Sequence, residues 1–156
     1  MRSVRVSAKA DYAVRAAIEL AAAGADRPTK GDAIASAQSI PLKFLENILA
    51  DMRHAGLVTS RRGAEGGYWL ARPAEEITVA DIIRAVEGPL ASVRGGRPED
   101  VDYGGTAEPL QRVWIAVRAS LRSVVDRVTL ADLAGGELPA EIEALAKDPD
   151  AWVTRR

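Results

Sequence analysis

The sequence contains no cysteine and a single histidine, His54, among its 156 residues. Disulfides, thiolate nucleophiles, cysteine-ligated iron–sulfur clusters and zinc sites built from cysteines or several histidines are therefore excluded. His54 has no paired nucleophile or second metal ligand in the sequence, so we expect a helix-terminal or phosphate-contacting role for it. We accordingly predict a protein that is not an enzyme and that binds no metal and no cofactor.

Long hydrophobic runs are also missing. No apolar segment approaches the roughly 20 residues that a membrane-spanning helix needs. The first residues, MRSVRVSAKADYAV, carry charges and no continuous apolar stretch, which is unlike a secretory signal. We therefore expect a cytoplasmic protein with no membrane partner, large enough for one core and an accessory element.

The net charge of −1 conceals a gradient along the chain. Residues 1–72 hold eleven Lys and Arg against seven Asp and Glu, whereas residues 73–156 hold ten against fifteen. The first half is therefore the candidate for binding a polyanion such as DNA.

The first ninety residues predict three short helices followed by a β-hairpin. We expect the helices to start after Ser7, after Thr29 and at Pro41, and the third to end near Gly56. Short strands should lie on either side of the glycine-rich residues 61–67. This order is typical of a winged helix-turn-helix, in which the third helix enters the DNA major groove and the hairpin flanks it.

The second half predicts a long helix after an irregular segment. Thr78 and Asp81 form the pattern of a capping box for a fourth helix. From Leu110, apolar residues recur at alternating steps of four and three along a helix roughly 27 Å long. Such a face packs either on the rest of the chain or on a second copy. The residues of this face are Leu110, Trp114, Val117, Leu121, Val124 and Val128.

We thus predict a mainly α fold with a small β-hairpin, a winged helix-turn-helix followed by a long helix. Residues 1–89 form the DNA-binding domain with its following helix, and residues 90–107 form a flexible loop that is open to an effector role. Residues 108–134 form the region of the long helix. Residues 135–156 form a C-terminal tail with a short helix.

The hairpin tip is the most distinctive candidate site. Arginine is attracted to the negative potential of a minor groove, and glycine allows close approach of the backbone. The alternative is a plain surface hairpin whose glycines only make the turn. The predicted DNA contacts of the tip are Arg61, Arg62, Gly63, Gly66 and Gly67.

The start of the third helix offers a second set of DNA contacts, Pro41, Lys43, Phe44 and Asn47. Lysine pairs with guanine or phosphate, asparagine with adenine, and an exposed phenylalanine meets a thymine methyl. The alternative places Phe44 in the core and leaves the polar residues solvated.

Taken together, these stretches resemble the Rrf2 family of winged-helix regulators, over about Val6 to Ala134. The family includes the iron–sulfur cluster regulator, the nitric-oxide-sensing regulator and the cysteine-metabolism repressor. The motifs that carry the resemblance are Lys9 and Tyr12, LEN at 45–47, AGLV at 55–58, RG and GGY within 62–68, and IT at 77–78 through EGP at 87–89.

The resemblance implies dimers that read palindromic operators with the third helix and the wing. It also implies a long dimerisation helix, so residues 108–134 are the predicted dimerisation helix region. The predicted dimer interface is the apolar face of Leu110, Trp114, Val117, Leu121, Val124 and Val128. By position, Lys43, Phe44 and Asn47 would lie in the major groove and Arg62 in the minor groove. Lys9 and Tyr12 would contact the DNA backbone.

The chain also departs from the family pattern. Members commonly have serine at the position of Pro41 and a Gly-Arg pair at Ala10-Asp11, so one phosphate contact is expected to be missing. Cluster-binding members carry three cysteines between Gly88 and Gln111, where this chain has none. The cysteine-free repressor of cysteine metabolism is the closer likeness.

We therefore predict a homodimeric DNA-binding repressor of palindromic promoter operators that works without an iron–sulfur cluster. The alternative is a protein-interaction or small-ligand-sensing module with weak or lost DNA binding. A regulatory protein partner or small-molecule effector is compatible with both.

Overall fold

A computed structural model describes residues 5–156. Over these residues the chain forms seven α-helices and one two-stranded antiparallel sheet, which confirms the predicted fold class. No helix in this range is long and apolar enough to cross a membrane. The elements are α1 (Ala8–Ala23), α2 (Gly31–Gln38), α3 (Leu42–His54), β1 (Val58–Arg61), β2 (Gly67–Leu70), α4 (Val79–Glu87), α5 (Leu110–Val125), α6 (Leu130–Gly135) and α7 (Ala140–Lys147).

Helix α1 is the centre of the core, and it packs against α3, α4 and α6. Its buried face consists largely of alanines, which let three helices approach it closely. Ser7 caps it as predicted, because its Oγ accepts a hydrogen bond of 3.0 Å from the amide of Ala10. On the inner face of α3, Leu45, Leu49 and Met52 are fully buried at the spacing of an amphipathic helix.

The start of α2 differs from the prediction. Thr29 does not cap the helix, which begins at Gly31 after Lys30. The backbone of Thr29 instead forms two hydrogen bonds with Tyr68 of β2, both 2.8 Å long. Pairing with a distant strand therefore overrides the local capping pattern, and it ties the wing to the start of α2.

The hairpin tip is constrained by contacts within the chain. β1 and β2 pair from Val58 with Leu70 to Arg61 with Gly67. A Cβ on Gly66 would overlap the carbonyl oxygen of Arg61, and a Cβ on Gly67 would lie 2.6 Å from the carbonyl oxygen of Thr29. These two glycines are thus required by the packing of the wing itself.

The start of α4 pairs with the start of α6, and this pairing joins the end of α5 to the winged helix. Thr78 with Asp81 and Thr129 with Asp132 form complete capping boxes at the starts of α4 and α6, as their spacing predicts. The two segments pair in antiparallel fashion, because the amide of Val79 donates to Val128 at 2.9 Å. The amide of Leu130 returns the bond to Ile77, also at 2.9 Å. This pairing brings the chain back onto α1 after α5.

The long helix is shorter than predicted. α5 has 16 residues and ends at Val125, a length of about 24 Å. Val128 lies beyond it and is buried within its own chain, so its assignment to the helical dimer face was wrong. The reason is the antiparallel pairing at Val128, which the heptad spacing does not reveal. No residue of α5 is fully buried.

The segment 90–107 packs along α5. The side-chain amide of Gln111 donates to three carbonyls of the segment, at 3.0 Å for Val101. The indole of Trp114 donates to the Tyr103 hydroxyl at 3.0 Å, and Arg118 pairs with Glu99 at 2.7 Å. One side of α5 is thereby occupied by its own chain, while the flexibility of the segment stays a prediction.

Replacement of Gly66 by alanine tests the constraint on the wing. The added Cβ meets backbone atoms, so we expect Gly66→Ala to lower the free energy of unfolding by about 1–3 kcal/mol. Gly104→Ala is the matched control, because Gly104 has a φ of −91° and open space around its Cβ position. Chemical denaturation measures both variants, and equal stabilities would contradict the packing argument.

Acid titration tests the attachment of the segment to α5. A hydrogen bond from its own backbone amide and one from Arg118 lower the pKa of Glu99 below its ordinary value of 4.5. The ionised form thus stabilises the folded chain above that value, and the contribution is lost as the pH falls through the lower folded-state pKa. We expect the NMR signal of the Trp114 indole N–H, which is bonded to Tyr103, to shift in that range.

The variant Glu99→Gln should abolish this shift, whereas Glu108→Gln, at an exposed ion pair with Arg112, should preserve it. An indole signal that titrates identically in Glu99→Gln would show that Glu99 does not hold the segment.

Candidate nucleic-acid interface

The exposed side of α3 carries the residues predicted to meet DNA bases. Lys43 and Asn47 are exposed and form no side-chain hydrogen bond or ion pair within residues 5–156. Pro41 is exposed at the N-cap of the helix. The opposite side holds α3 in the core, so the outer side of its first two turns is exposed, as a recognition helix requires.

Phe44 is neither fully exposed nor part of the core, which were the two alternatives from the sequence. Its side chain is 40 % exposed, and its ring packs edge-on against Tyr12 with centroids 5.6 Å apart. The outer edge of Phe44 is thus available for an apolar contact, while the inner edge fixes α3 against α1. Tyr12 in turn lies beside α3 on the same surface.

Arg15 is a residue of this surface that the sequence analysis missed. Its guanidinium lies 4.9 Å from the centre of the Tyr12 ring and donates to the carbonyl of Gln38, at the end of α2, at 2.7 Å. It also pairs with Asp11 at 3.1 Å. The spacing of four residues between Asp11 and Arg15 on one helix was the available signal. Arg15 connects α1 to the turn between α2 and α3 and so positions the recognition helix.

Lys9 has a partner of its own. Its ammonium group pairs with Asp51 of α3 at 2.8 Å, and its side chain is 35 % exposed. To contact a DNA phosphate, the ammonium group of Lys9 has to bind the phosphate together with Asp51 or leave Asp51. The contact of Lys9 with the DNA backbone therefore stays a prediction. The positive charge of Lys9 is balanced by Asp51 in the folded chain.

The two arginines of the wing have different environments. Arg61 donates to the carbonyl of Glu65 at 3.2 Å and so folds over the tip. Arg62 is exposed, and no hydrogen bond or ion pair engages it within the described range. Lys30, a second residue missed from sequence, donates to the carbonyl of Gly63 at 3.0 Å and supports the tip from α2. Gly63 has a φ of 104° with open space around it, unlike Gly66 and Gly67.

Charge alone does not mark this surface. From Lys30 to Glu65 the chain has five Lys and Arg against four Asp and Glu, a balance of only +1. The positions of the cations distinguish this surface better than its net charge does, because exposed Arg62 lies on the wing and exposed Lys43 at the start of α3. The surface thus joins a projecting helix to a basic hairpin, which is the geometry of groove and phosphate contact.

The predicted dimer residues divide between two sides of α5. Trp114 points to its own loop, and Leu121 lines a cavity within the protomer as well as the open side of the helix. Leu110 is half-buried at the start of α5. An uncovered apolar groove runs along the other side, lined by Val113, Ala116, Val117, Ser120, Leu121, Val124 and Val125.

Comparison with known proteins agrees with this geometry. The family model described as Rrf2, iron-dependent transcriptional regulator, matches residues 6–136. A protein of Mycobacterium tuberculosis named as an HTH-type transcriptional regulator is 52 % identical over 153 residues, which cover 98 % of this chain and 95 % of the relative. The HTH-type transcriptional regulator CymR of Bacillus subtilis is 38 % identical over 132 residues, 84 % of this chain and 90 % of CymR.

The iron in the family description has no fitting ligands here. The chain has no cysteine, and residues 5–156 contain no group of three His, Cys, Asp or Glu that could hold a metal ion. In the segment before α5, Glu99 pairs with Arg118 and Asp100 with Arg97. Two of the three carboxylates between residues 90 and 107 are thus engaged with arginines.

Two solved structures have the same fold. The structure of CymR, the global cysteine regulator of B. subtilis, has a TM-score of 0.71 and 36 % identity and covers 85 % of this chain and 98 % of its own. IscR of T. potens has a TM-score of 0.67 and 33 % identity and covers 98 % of this chain and 94 % of its own. The winged helix, the exposed recognition surface and these similarities together show that the chain belongs to the Rrf2 family of DNA-binding transcriptional regulators.

Proposed function

We propose that the protein is a homodimeric repressor that occupies palindromic promoter operators and works without an iron–sulfur cluster. The observation that carries this proposal is the pairing of an exposed α3 face, with Lys43 and Asn47, with the unengaged Arg62 on the adjoining wing. Occupation of a promoter by such a protein blocks access to it, which is the simplest route to repression.

The chemistry of the surface suits base recognition. Asn47 can bond adenine through its amide, and Lys43 can bond guanine or a phosphate. The partly exposed ring of Phe44 can contact a thymine methyl group. We expect Arg62 to enter the minor groove beside the site of α3, because a narrow groove attracts arginine.

Homodimerisation is supported by the open face of α5. The helix has no fully buried residue, and Val113 on this face is 50 % exposed. A helix of this length depends on packing for most of its stability. A second copy supplies an equally apolar face, and the small side chains of Ala116 and Ser120 permit close contact of two helices. A two-fold dimer of this kind matches a palindromic operator.

The absence of a cluster is proposed from ligand chemistry. Iron–sulfur clusters in proteins are held mainly by cysteine thiolates, which this chain lacks. Regulation must then use another signal, such as a small molecule or a protein partner. Because the similar CymR is described as a global cysteine regulator, promoters of cysteine-related genes are the first DNA to test.

A second candidate function is supported by the ion pairs of α1. Lys9 and Arg15 are each paired with a carboxylate, Asp51 and Asp11 respectively, which reduces the positive charge offered to DNA. The chain would then be an interaction or ligand-sensing module with weak DNA binding. Selection of genomic fragments at physiological salt separates the two functions, because only the repressor enriches a shared palindrome.

The substitution Arg62→Ala tests the wing. We expect operator affinity to fall by about 1–3 kcal/mol, roughly 5- to 150-fold, with relaxed preference at the base pairs beneath the wing. Fluorescence anisotropy with the selected operator and with mutated operators measures both effects. Arg155→Ala, at an exposed tail position, should leave affinity unchanged. An equal loss on every DNA sequence would count against base reading by Arg62.

The substitution Val113→Glu tests the dimer. Val113 is half-exposed in the protomer, so the change should leave the fold intact while placing a charge in the apolar interface. We expect dimerisation to weaken by at least about 100-fold, or 2.7 kcal/mol, in sedimentation equilibrium. Arg112→Glu, on the solvated side of α5, is the control. A monomeric wild-type chain, or an unaltered dimer in Val113→Glu, would rule out this interface.

A further inference from the structure

A cavity of about 170 Å³ lies where four parts of the chain meet. These parts are the residues that lead into α1, the end of α4, the turn at 89–92 and the last turns of α5. Its walls are mainly apolar and include Ile83, Leu90, Leu121 and Val125. The cavity thus lies between the winged helix and α5, and its α5 wall shares Leu121 and Val125 with the open groove of that helix.

Two opposite charges border this apolar space. Arg5 and Glu87 both line the cavity, together with Ser7. The hydroxyl of Ser7 donates to one carboxylate oxygen of Glu87 and also accepts from the amide of Ala10 at 3.0 Å. The second carboxylate oxygen of Glu87 has no hydrogen-bond partner within residues 5–156. Two exposed residues of opposite charge therefore line a pocket whose other walls are mainly apolar.

The wall of the cavity also contains an unusual backbone conformation. Ala91 lines the cavity, is buried, and has a φ of +55°. The left-handed region costs a residue with a side chain about 1–2 kcal/mol. Such strain is kept where the surrounding structure requires a particular shape, and it is frequent at ligand sites. This observation is independent of the charges and points to the same place.

We propose that this cavity binds a free α-amino acid with an apolar side chain of about the size of leucine. An apolar cavity of roughly 150 Å³ accommodates a benzene-sized molecule, so the volume suits a branched alkyl side chain. The ammonium group of the ligand pairs with Glu87, and its carboxylate pairs with Arg5. This assignment concerns binding alone and does not depend on the proposed operator or dimer.

Occupancy of the cavity acts on the neighbouring helices. A ligand ammonium group competes with the Ser7 hydroxyl for Glu87, and Ser7 is the N-cap of α1. Helix α1 carries Tyr12 against Phe44 of the recognition surface. Leu121 and Val125 link the same cavity to the open groove of α5. The ligand thus contacts elements that position both the DNA-facing surface and the dimer face.

Methyl NMR of the full-length chain without DNA tests the proposal. The probes are L-leucine, L-leucinamide, which lacks the carboxylate, and 4-methylpentanoate, which lacks the amine. We expect L-leucine to shift the methyl signals of Ile83, Leu90, Leu121 and Val125 in a saturable manner. Each analogue should bind at least tenfold more weakly. Absence of saturable shifts with L-leucine, or equal affinity of all three compounds, would overturn the proposal.

Two substitutions assign the charges. Glu87→Gln keeps an oxygen for the Ser7 hydroxyl and removes the charge, so leucine affinity should fall at least tenfold while the fold is retained. Arg5→Gln, at an exposed residue, should weaken L-leucine to the level of L-leucinamide and leave L-leucinamide unchanged. Glu143→Gln, on exposed α7, is the control that should bind like the wild type. Unchanged leucine affinity in Glu87→Gln would also overturn the proposal.

Discussion

The antiparallel pairing of the segments around Thr78 and Thr129 determines where the second half of the chain lies. Two backbone hydrogen bonds of 2.9 Å join these segments, and each segment starts a helix with a complete capping box. Arg84 of α4 adds two hydrogen bonds to Asp126, at 3.1 and 3.2 Å, just after α5. The chain segments before α4 and after α5 are thus bonded to each other. This bonding gives α5 a defined position against the winged helix.

The two sides of α5 therefore make different contacts. One side carries Gln111, Trp114 and Arg118, which attach the preceding segment, and the other is an uncovered apolar groove. The second half of the chain is thus built around a helix that its own chain covers incompletely. In the proposed homodimer a second copy covers this groove, and that contact sets the spacing of the two winged helices.

The positions of the wing and of α3 also depend on contacts between residues that are distant in sequence. The wing is attached to α2 through Thr29 and Lys30, and α3 is held against α1 by the contact between Tyr12 and Phe44. Arg15 secures the turn between α2 and α3. Exposed residues such as Asn47 and Arg62 therefore project from a framework whose supporting contacts come from α1 and α2.

The sequence by itself determined the features that depend on neighbouring residues. The capping boxes, the left-handed Gly56 at the end of α3 and the buried face with Leu45 follow from spacings of three and four residues, and the structure contains them. The family motifs likewise located the third helix and the hairpin that follows it, while the reading of DNA by these two elements stays a prediction. Only the tertiary structure decided the positions of Thr29 and Val128, the partner of Trp114 and the requirement for Gly66. Each of these depends on hydrogen bonds or close backbone contacts that form in the folded chain. Most of the contacts join residues that are distant in sequence. Helical periodicity carries no information about such pairs.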